Sequence, residues 1–127
     1  MKYYVGIDLG GTNIKAGVVD EEYHILGRGK KKTSVPRPAE EIMDAMAECA
    51  EEAVKDAGLG WDDIEAVGVG VPGTANEKTG VVEYANNLYF KDVPMRDYLS
   101  EKLGKNVYIT NDANAAALGE VLAGAAK

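Results

Sequence analysis

Three runs of strand character follow one another between Lys2 and Lys32, before any segment of helical period appears, and this order restricts the fold more than any other feature. Lys2 to Asp8 (KYYVGID) is rich in Tyr, Val and Ile, and it ends at the glycine pair Gly10-Gly11, which suits a tight turn. Asn13 to Asp20 resumes the pattern, and Glu21-Glu22 leads into a third run from Tyr23 to about Lys32. Consecutive strands with short connections make an antiparallel meander. The helical period begins only at Ala39. From there Ile42, Met46, Cys49, Ala53 and Ala57 recur three and four positions apart, with Glu40, Glu41, Asp44, Glu48, Glu51 and Glu52 between them. Pro38 suits the first turn of this helix, where its missing N–H costs nothing, and Gly58 and Gly60 end it.

Beyond a loop at Trp61 to Asp63, Ile64 to Val71 (IEAVGVGV) reads as a compact apolar strand. Val67, Val69 and Val71 share one face, while Gly68 and Gly70 leave the other bare for something to approach closely, a packed helix being the plain candidate. Thr74 to Tyr84, with its turn-like NEKTG, is a hairpin or excursion leading to Asn86-Asn87-Leu88. Pro94 to Leu103 reads as a short helix with Tyr98, Leu99 and Leu103 inward and Gly104 at its end. Val107 to Thr110 is the next strand. The alanine-rich stretch after Asp112 is helical in composition, although Gly119 and Gly124 each weaken it by about 1 kcal/mol relative to alanine. The order is βββαβ(ββ)αβα, with no internal repeat or linker. Strands joined through helices run parallel by right-handed crossovers. Asp8, Pro72-Gly73 and Asn111-Asp112 therefore fall on one edge of a sheet, the edge at which open α/β sheets bind ligands.

Composition excludes several classes. A chain of 127 residues fits one ordinary domain. Its net charge of −7 opposes binding to nucleic acid or an anionic membrane, so any phosphate must be held locally. Cys49 has no second cysteine to pair with, and with His24 alone beside it the chain lacks a Cys/His zinc set. Cys49 reads as part of a helical stripe and His24 as part of a hairpin. No apolar run reaches the ~18 residues of a membrane span, and MKYYVGIDLG enters a strand without a leader pattern, which reads as cytoplasmic. The one basic cluster, Arg28 with Lys30, Lys31 and Lys32, reads as an outer strand guarded against edge-to-edge pairing.

Two elements carry chemistry. In Asp8-Leu9-Gly10-Gly11-Thr12-Asn13 the glycines permit a turn whose successive N–H groups can hold phosphate oxygens, and the Thr12 hydroxyl adds a donor. Asp8 supplies a carboxylate suited to Mg²⁺, which takes a few oxygen ligands and keeps its waters. The plain alternative is a Gly-Gly hairpin beside an incidental aspartate. The turn is neither a Walker loop nor a GxGxxG fingerprint. The second element is Asn111-Asp112 at the start of a helix. Either residue would cap it, worth about 1 kcal/mol, or Asp112 accepts the proton of an attacking hydroxyl while Asn111 orients a neighbouring one. An acid serving metal and phosphate and an acid serving the nucleophile, on one edge, match the needs of phosphoryl transfer.

The segments DLGGTNIKAGVVD, VGVGVPG, ANNL and ITNDANAAALGE, in this order and spacing, resemble the N-terminal half of the ROK family of sugar kinases and repressors. The match spans essentially the whole chain. The resemblance implies a ribonuclease-H-like lobe of the actin, hexokinase and Hsp70 type, an α/β fold with a five-stranded mixed sheet of order 3-2-1-4-5. It implies that Asp8, Gly10, Gly11 and Thr12 form the first phosphate loop, and that Asp112 is the catalytic base for a sugar 6-hydroxyl. Asn111 would hold adjacent sugar hydroxyls, with Gly73, Asn86 and Asn87 near the pocket wall; Lys15 reads as structural and Glu120 belongs to the pattern without an assigned role. The implied reaction is ATP- and Mg²⁺-dependent phosphorylation of glucose by a cytoplasmic glycolytic glucokinase. N-acetylmannosamine, N-acetylglucosamine or fructose are alternative sugars, and a sugar-sensing transcriptional regulator is an alternative role. Residues 1–127 would then be a single N-terminal lobe, inactive by itself. On the same resemblance a second lobe, with the adenosine site, half of the sugar shell and a zinc site, would lie outside these residues. Self-association as a homodimer is a further expectation.

Overall fold

The computed structural model describes residues 2–22, 24–71, 73–76, 78–85 and 90–110. Its first three strands, β1 (Tyr3–Leu9), β2 (Asn13–Asp20) and β3 (Ile25–Lys32), form the antiparallel meander that the opening runs predict. After α1 (Ala39–Asp56) the chain returns in β4 (Ile64–Gly70), and after α2 (Met95–Leu103) in β8 (Asn106–Thr110). Both return strands are parallel, β4 to β1 and β8 to β4, because each is reached through a helix. The sheet order is β3-β2-β1-β4-β8. This is the expected 3-2-1-4-5, with β8 in fifth place because three short strands intervene. Those are β5 (Thr74–Asn76), β6 (Val81–Ala85) and β7 (Phe90–Val93), an antiparallel sheet of their own where the sequence shows only a hairpin or excursion. Trp61–Asp63, expected as a loop, is a single 3-10 turn whose indole N–H donates to the Leu103 carbonyl at 2.8 Å.

Both helices lie on one face of the five-stranded sheet. Val5, Ile7 and Leu9 of β1, Ile14 and Val18 of β2, and Val67, Val69 and Val71 at β4 are fully buried there. α1 is buried more widely than its apolar stripe predicts, since Met43, Ala47, Ala50 and Val54 are covered as well as Ile42, Met46, Cys49 and Ala53. The reason is that α2 packs on its flank: the Tyr98 hydroxyl donates to Asp44 Oδ1 at 2.6 Å, and Lys102 Nζ lies 3.0 Å from the same oxygen. α1 ends in a Schellman motif, with Gly58 at φ 74 donating to the Lys55 carbonyl and Leu59 to the Val54 carbonyl.

The helix also sits unusually close to β3. A Cβ on Gly27 would lie 2.4 Å from the Ala53 carbonyl oxygen, and one on Gly29 would lie 2.5 Å from that of Cys49. These two glycines let the α1 backbone rest on the strand backbone. Arg28 and Lys30 alternate with them and belong to the other face of the sheet. β3 is an outer strand, as its lysines suggest. Among the described residues no helix is long and apolar enough to cross a membrane.

Candidate functional site

The pairing register brings the chemistry-bearing strand ends into line. Asp8 pairs with Gly70 across the parallel β1–β4 junction, and Gly70 pairs with Thr110 across β4–β8. Three C-terminal strand ends thus share one edge of the sheet, and Asp8 and Thr110 stand two strand spacings apart, about 10 Å. Gly73 follows β4 at the same edge. It has φ 107, and a Cβ there would fall 2.3 Å from the Tyr84 carbonyl oxygen, so the position requires glycine twice over. The other predicted site residues, Asn86, Asn87, Asn111 and Asp112, lie outside the described residues, as does Glu120.

The loop after Asp8 is a hairpin turn between β1 and β2. Gly10 N–H donates to the Asn13 carbonyl at 3.0 Å, and a Cβ on Gly10 would press to 2.8 Å from that oxygen. Gly10 is therefore needed for this close approach, the absence of a Cβ clash being the reason that the sequence suggests for a glycine here, and it does not take a positive φ. Two further carbonyls of the turn are held by a residue that the sequence does not single out. Thr33, buried at the end of β3, donates its hydroxyl to the Gly10 carbonyl at 2.7 Å and its N–H to the Thr12 carbonyl at 2.9 Å. The N–H groups of Gly11 and Thr12 have no partner among the described residues. Asp8 is half-buried beside them, and Thr12 is exposed. The arrangement offers two backbone donors and a hydroxyl next to a carboxylate, as a phosphate and a hydrated cation require.

A row of charge crosses the same face. Lys15 pairs directly with Asp8 on one side and with Lys30 on the other. Like charges directly opposite are unfavourable in a sheet, and Asp8 offsets this on the far side of Lys15. A groove of ≈ 650 Å³ runs over these strands, lined by Asp8, Lys15, Gly17, Ile25, Arg28 and Lys30 among others. The basic cluster is thus divided, because Lys31 turns to the helical face and reaches Glu52 at 3.6 Å and Glu48 at 3.9 Å. Among the described residues no three of His, Cys, Asp or Glu gather as a metal cage. A cation at Asp8 would depend on phosphate and water oxygens, which is how Mg²⁺ is commonly held.

Cys49 and His24 keep the structural places expected of them. Burial pushes the Cys49 thiol up to about 11, and its Sγ lies 3.6 Å from the Ile14 carbonyl, so it is no nucleophile at neutral pH. His24 stands at the β2–β3 turn with Nδ1 3.2 Å from the buried Asp20 carboxylate, which also accepts the N–H groups of Glu22 and His24. The sequence also gives no sign of the Asp44–Tyr98–Lys102 cluster, since its members are 54 residues apart along the chain at the Tyr98–Asp44 bond.

Comparison with known proteins adds the following. A family model described as ROK family matches residues 4–127. The glucokinase of Streptomyces coelicolor is 42% identical over 123 residues, covering 97% of this chain and 37% of that protein. The crystal structure of a ROK family glucokinase from Streptomyces griseus in complex with glucose and AMPPNP superposes with TM-score 0.80 at 42% identity, over 93% of this chain and 36% of that one. The ROK hexokinase of Thermus thermophilus gives TM-score 0.79 at 41% identity, over 93% of this chain and 38% of its own. The chain therefore spans well under half the length of the relatives it matches.

Proposed function

Because the chain belongs to the ROK family, we propose that it is the N-terminal lobe of a sugar kinase that transfers the γ-phosphoryl group of ATP to the 6-hydroxyl of glucose. The observation that carries this reading is the alignment of Asp8, Gly70 and Thr110 on one sheet edge, with the Gly11 and Thr12 N–H groups beside Asp8 meeting no partner among the described residues. Phosphoryl transfer asks little covalent chemistry of a protein and depends on positioning and on stabilising charge. In this reading the turn donors of Gly11 and Thr12 meet phosphate oxygens as negative charge shifts toward the leaving diphosphate. Asp8 would hold Mg²⁺ through its water shell; that ion, when bound, neutralises phosphate charge. Asp112 accepts the proton of the sugar hydroxyl as its oxygen attacks phosphorus. Asn111 orients the neighbouring hydroxyl, and Gly73, Asn86 and Asn87 form pocket wall. Glucose as the sugar is supported by the glucokinases among the relatives.

The test is a coupled assay of sugar-dependent ADP release by the complete protein containing this chain. Glucose, N-acetylglucosamine, N-acetylmannosamine and fructose would be compared at equal concentration. Glucose is expected to give the highest kcat/KM and no ADP is expected without Mg²⁺. Turnover confined to an N-acetylated sugar would move the specificity, and absence of any sugar-dependent ADP release would end the reading.

A further inference from the structure

We infer that Thr33 is a positioning residue of the phosphate loop, acting through the backbone of Gly10 to Asn13 to aim the Gly11 N–H; the inference rests on reading that loop as a phosphate cradle. Thr33 is fully buried and 23 residues beyond Gly10 in sequence, yet it grips both sides of the turn. Its hydroxyl holds the Gly10 carbonyl at 2.7 Å, and its N–H holds the Thr12 carbonyl at 2.9 Å. In a planar trans peptide the C=O and N–H point in opposite directions. Fixing the Gly10 carbonyl on Thr33 therefore turns the Gly11 N–H away from Thr33. The same bond to Thr12 fixes the peptide leading into Asn13. With Gly10 N–H already on the Asn13 carbonyl at 3.0 Å, three peptides of the turn are held in place, and among them the Gly10–Gly11 peptide carries the Gly11 N–H on the side opposite Thr33.

Thr33 is itself anchored. Arg37 Nε donates to the Thr33 carbonyl at 2.8 Å, and the next residue, Ser34, takes φ 56, a left-handed conformation that non-glycine residues avoid. The chain accepts that conformation directly after the residue that braces the loop. A hydroxyl rather than a methyl is required at Thr33, because valine would fill the same space but leave the buried side of the Gly10 carbonyl without its partner.

The experiment uses Thr33→Val and Thr33→Ser in the complete protein. Kinetics follow ATP and sugar separately, and ¹⁵N chemical shifts follow Gly10 to Asn13. Thr33→Val is expected to lower kcat/KM for ATP by about 10- to 100-fold, the scale of a misplacement near 1 Å. The KM for sugar should stay within about twofold of wild type. Thr33→Ser keeps the hydroxyl and should return the ATP parameter to within about threefold. The Gly11 amide shift should move in Thr33→Val and not in Thr33→Ser. Equal losses for ATP and sugar, or a serine variant no better than the valine variant, would overturn the inference. If the wild-type protein shows no ATP-dependent turnover, the kinase reading fails instead, and the amide shifts alone decide whether Thr33 sets the loop: unchanged Gly11 in Thr33→Val refutes it.

Discussion

At the scale of single residues, the two acids proposed for phosphoryl transfer have different standing. Asp8 is placed: it is the last residue but one of β1, pairs with Gly70 and Lys15, and lies shortly before the turn donors. Asp112 is assigned by its position two residues after Thr110, whose strand leaves the sheet at the same edge as Asp8. If Asp112 is the base, Asp112→Asn in the complete protein should cut kcat by about 10²- to 10⁴-fold while leaving KM for ATP nearly unchanged, since an asparagine of the same shape cannot accept the proton. Steady-state rates on glucose measure this, and a loss below about tenfold would return Asp112 to the helix-capping role that its sequence position also allows. The candidate site was legible in the sequence where it consists of consecutive residues. DLGGT carries its own turn glycines and its own carboxylate. Thr33 was not legible, because its meaning depends on β3 folding back beside the first turn, and nothing in KKKTSVP announces that a hydroxyl there will cap a carbonyl 23 residues earlier.

Among the elements, the contact of α1 with β3 is sensitive to a single added atom. Gly27→Ala would place a methyl 2.4 Å from the Ala53 carbonyl oxygen, and Gly29→Ala would place one 2.5 Å from the Cys49 carbonyl oxygen. Neither backbone can yield without moving the helix, so each substitution should destabilise by about 1–3 kcal/mol, the range for overpacking a filled interior. Gly17 on the neighbouring strand is the control, since a Cβ there meets nothing nearer than the Gly27 carbonyl at 3.7 Å. Gly17→Ala should change stability by less than about 0.5 kcal/mol. Urea denaturation of the three variants separates close helix approach from ordinary strand preference for larger residues. The main elements were readable because each long one has a clear period: 2 in β1 and β2, and three to four in α1. β5 and β6 were readable only as a hairpin or excursion around NEKTG, and β7 not at all, as the three span only 3, 5 and 4 residues. The width of the buried face of α1 was missed for a related reason. Met43, Ala47 and Val54 are covered, and α2 packs on that helix through Asp44, Tyr98 and Lys102, contacts the local pattern of α1 does not contain.

For the molecule as a whole, two carboxylates link stability to pH: Asp20, which closes the local β2–β3 turn, and Asp44, which ties α1 to α2 from 54 residues away. At Asp20 burial pushes the carboxyl up, but the backbone N–H bonds of His24 and Glu22 and the His24 ring together hold it below the ordinary carboxylate range. At Asp44 the Tyr98 hydroxyl and the Lys102 ammonium do the same. A lowered folded-state value means that the stability they contribute is complete above the unfolded carboxylate value of about 3.9 and is lost as pH falls through the folded one. Melting temperature should therefore be flat on the acid side down to about pH 4 and fall below it. Asp20→Asn keeps an oxygen for the turn but loses the charge, so it should flatten part of that decline. On the proposed kinase reading, catalysis would belong to a larger unit than this one. The strand ends, the turn donors and Asp8 form one wall, and a kinase must also exclude water from the transferring phosphoryl group and hold the nucleotide from the opposite side. With the chain spanning 37% of the Streptomyces coelicolor glucokinase, we propose that the opposite wall comes from the remainder of the complete protein. On that account the 127-residue chain alone should show glucose-dependent ADP release at least about 10³-fold below the complete protein at equal concentration. Adding the remaining segment in trans should restore part of it if the two walls associate. A chain that turned over glucose alone at a rate within about tenfold of the complete protein would show that one wall suffices, and the division of labour proposed for the two lobes would be wrong.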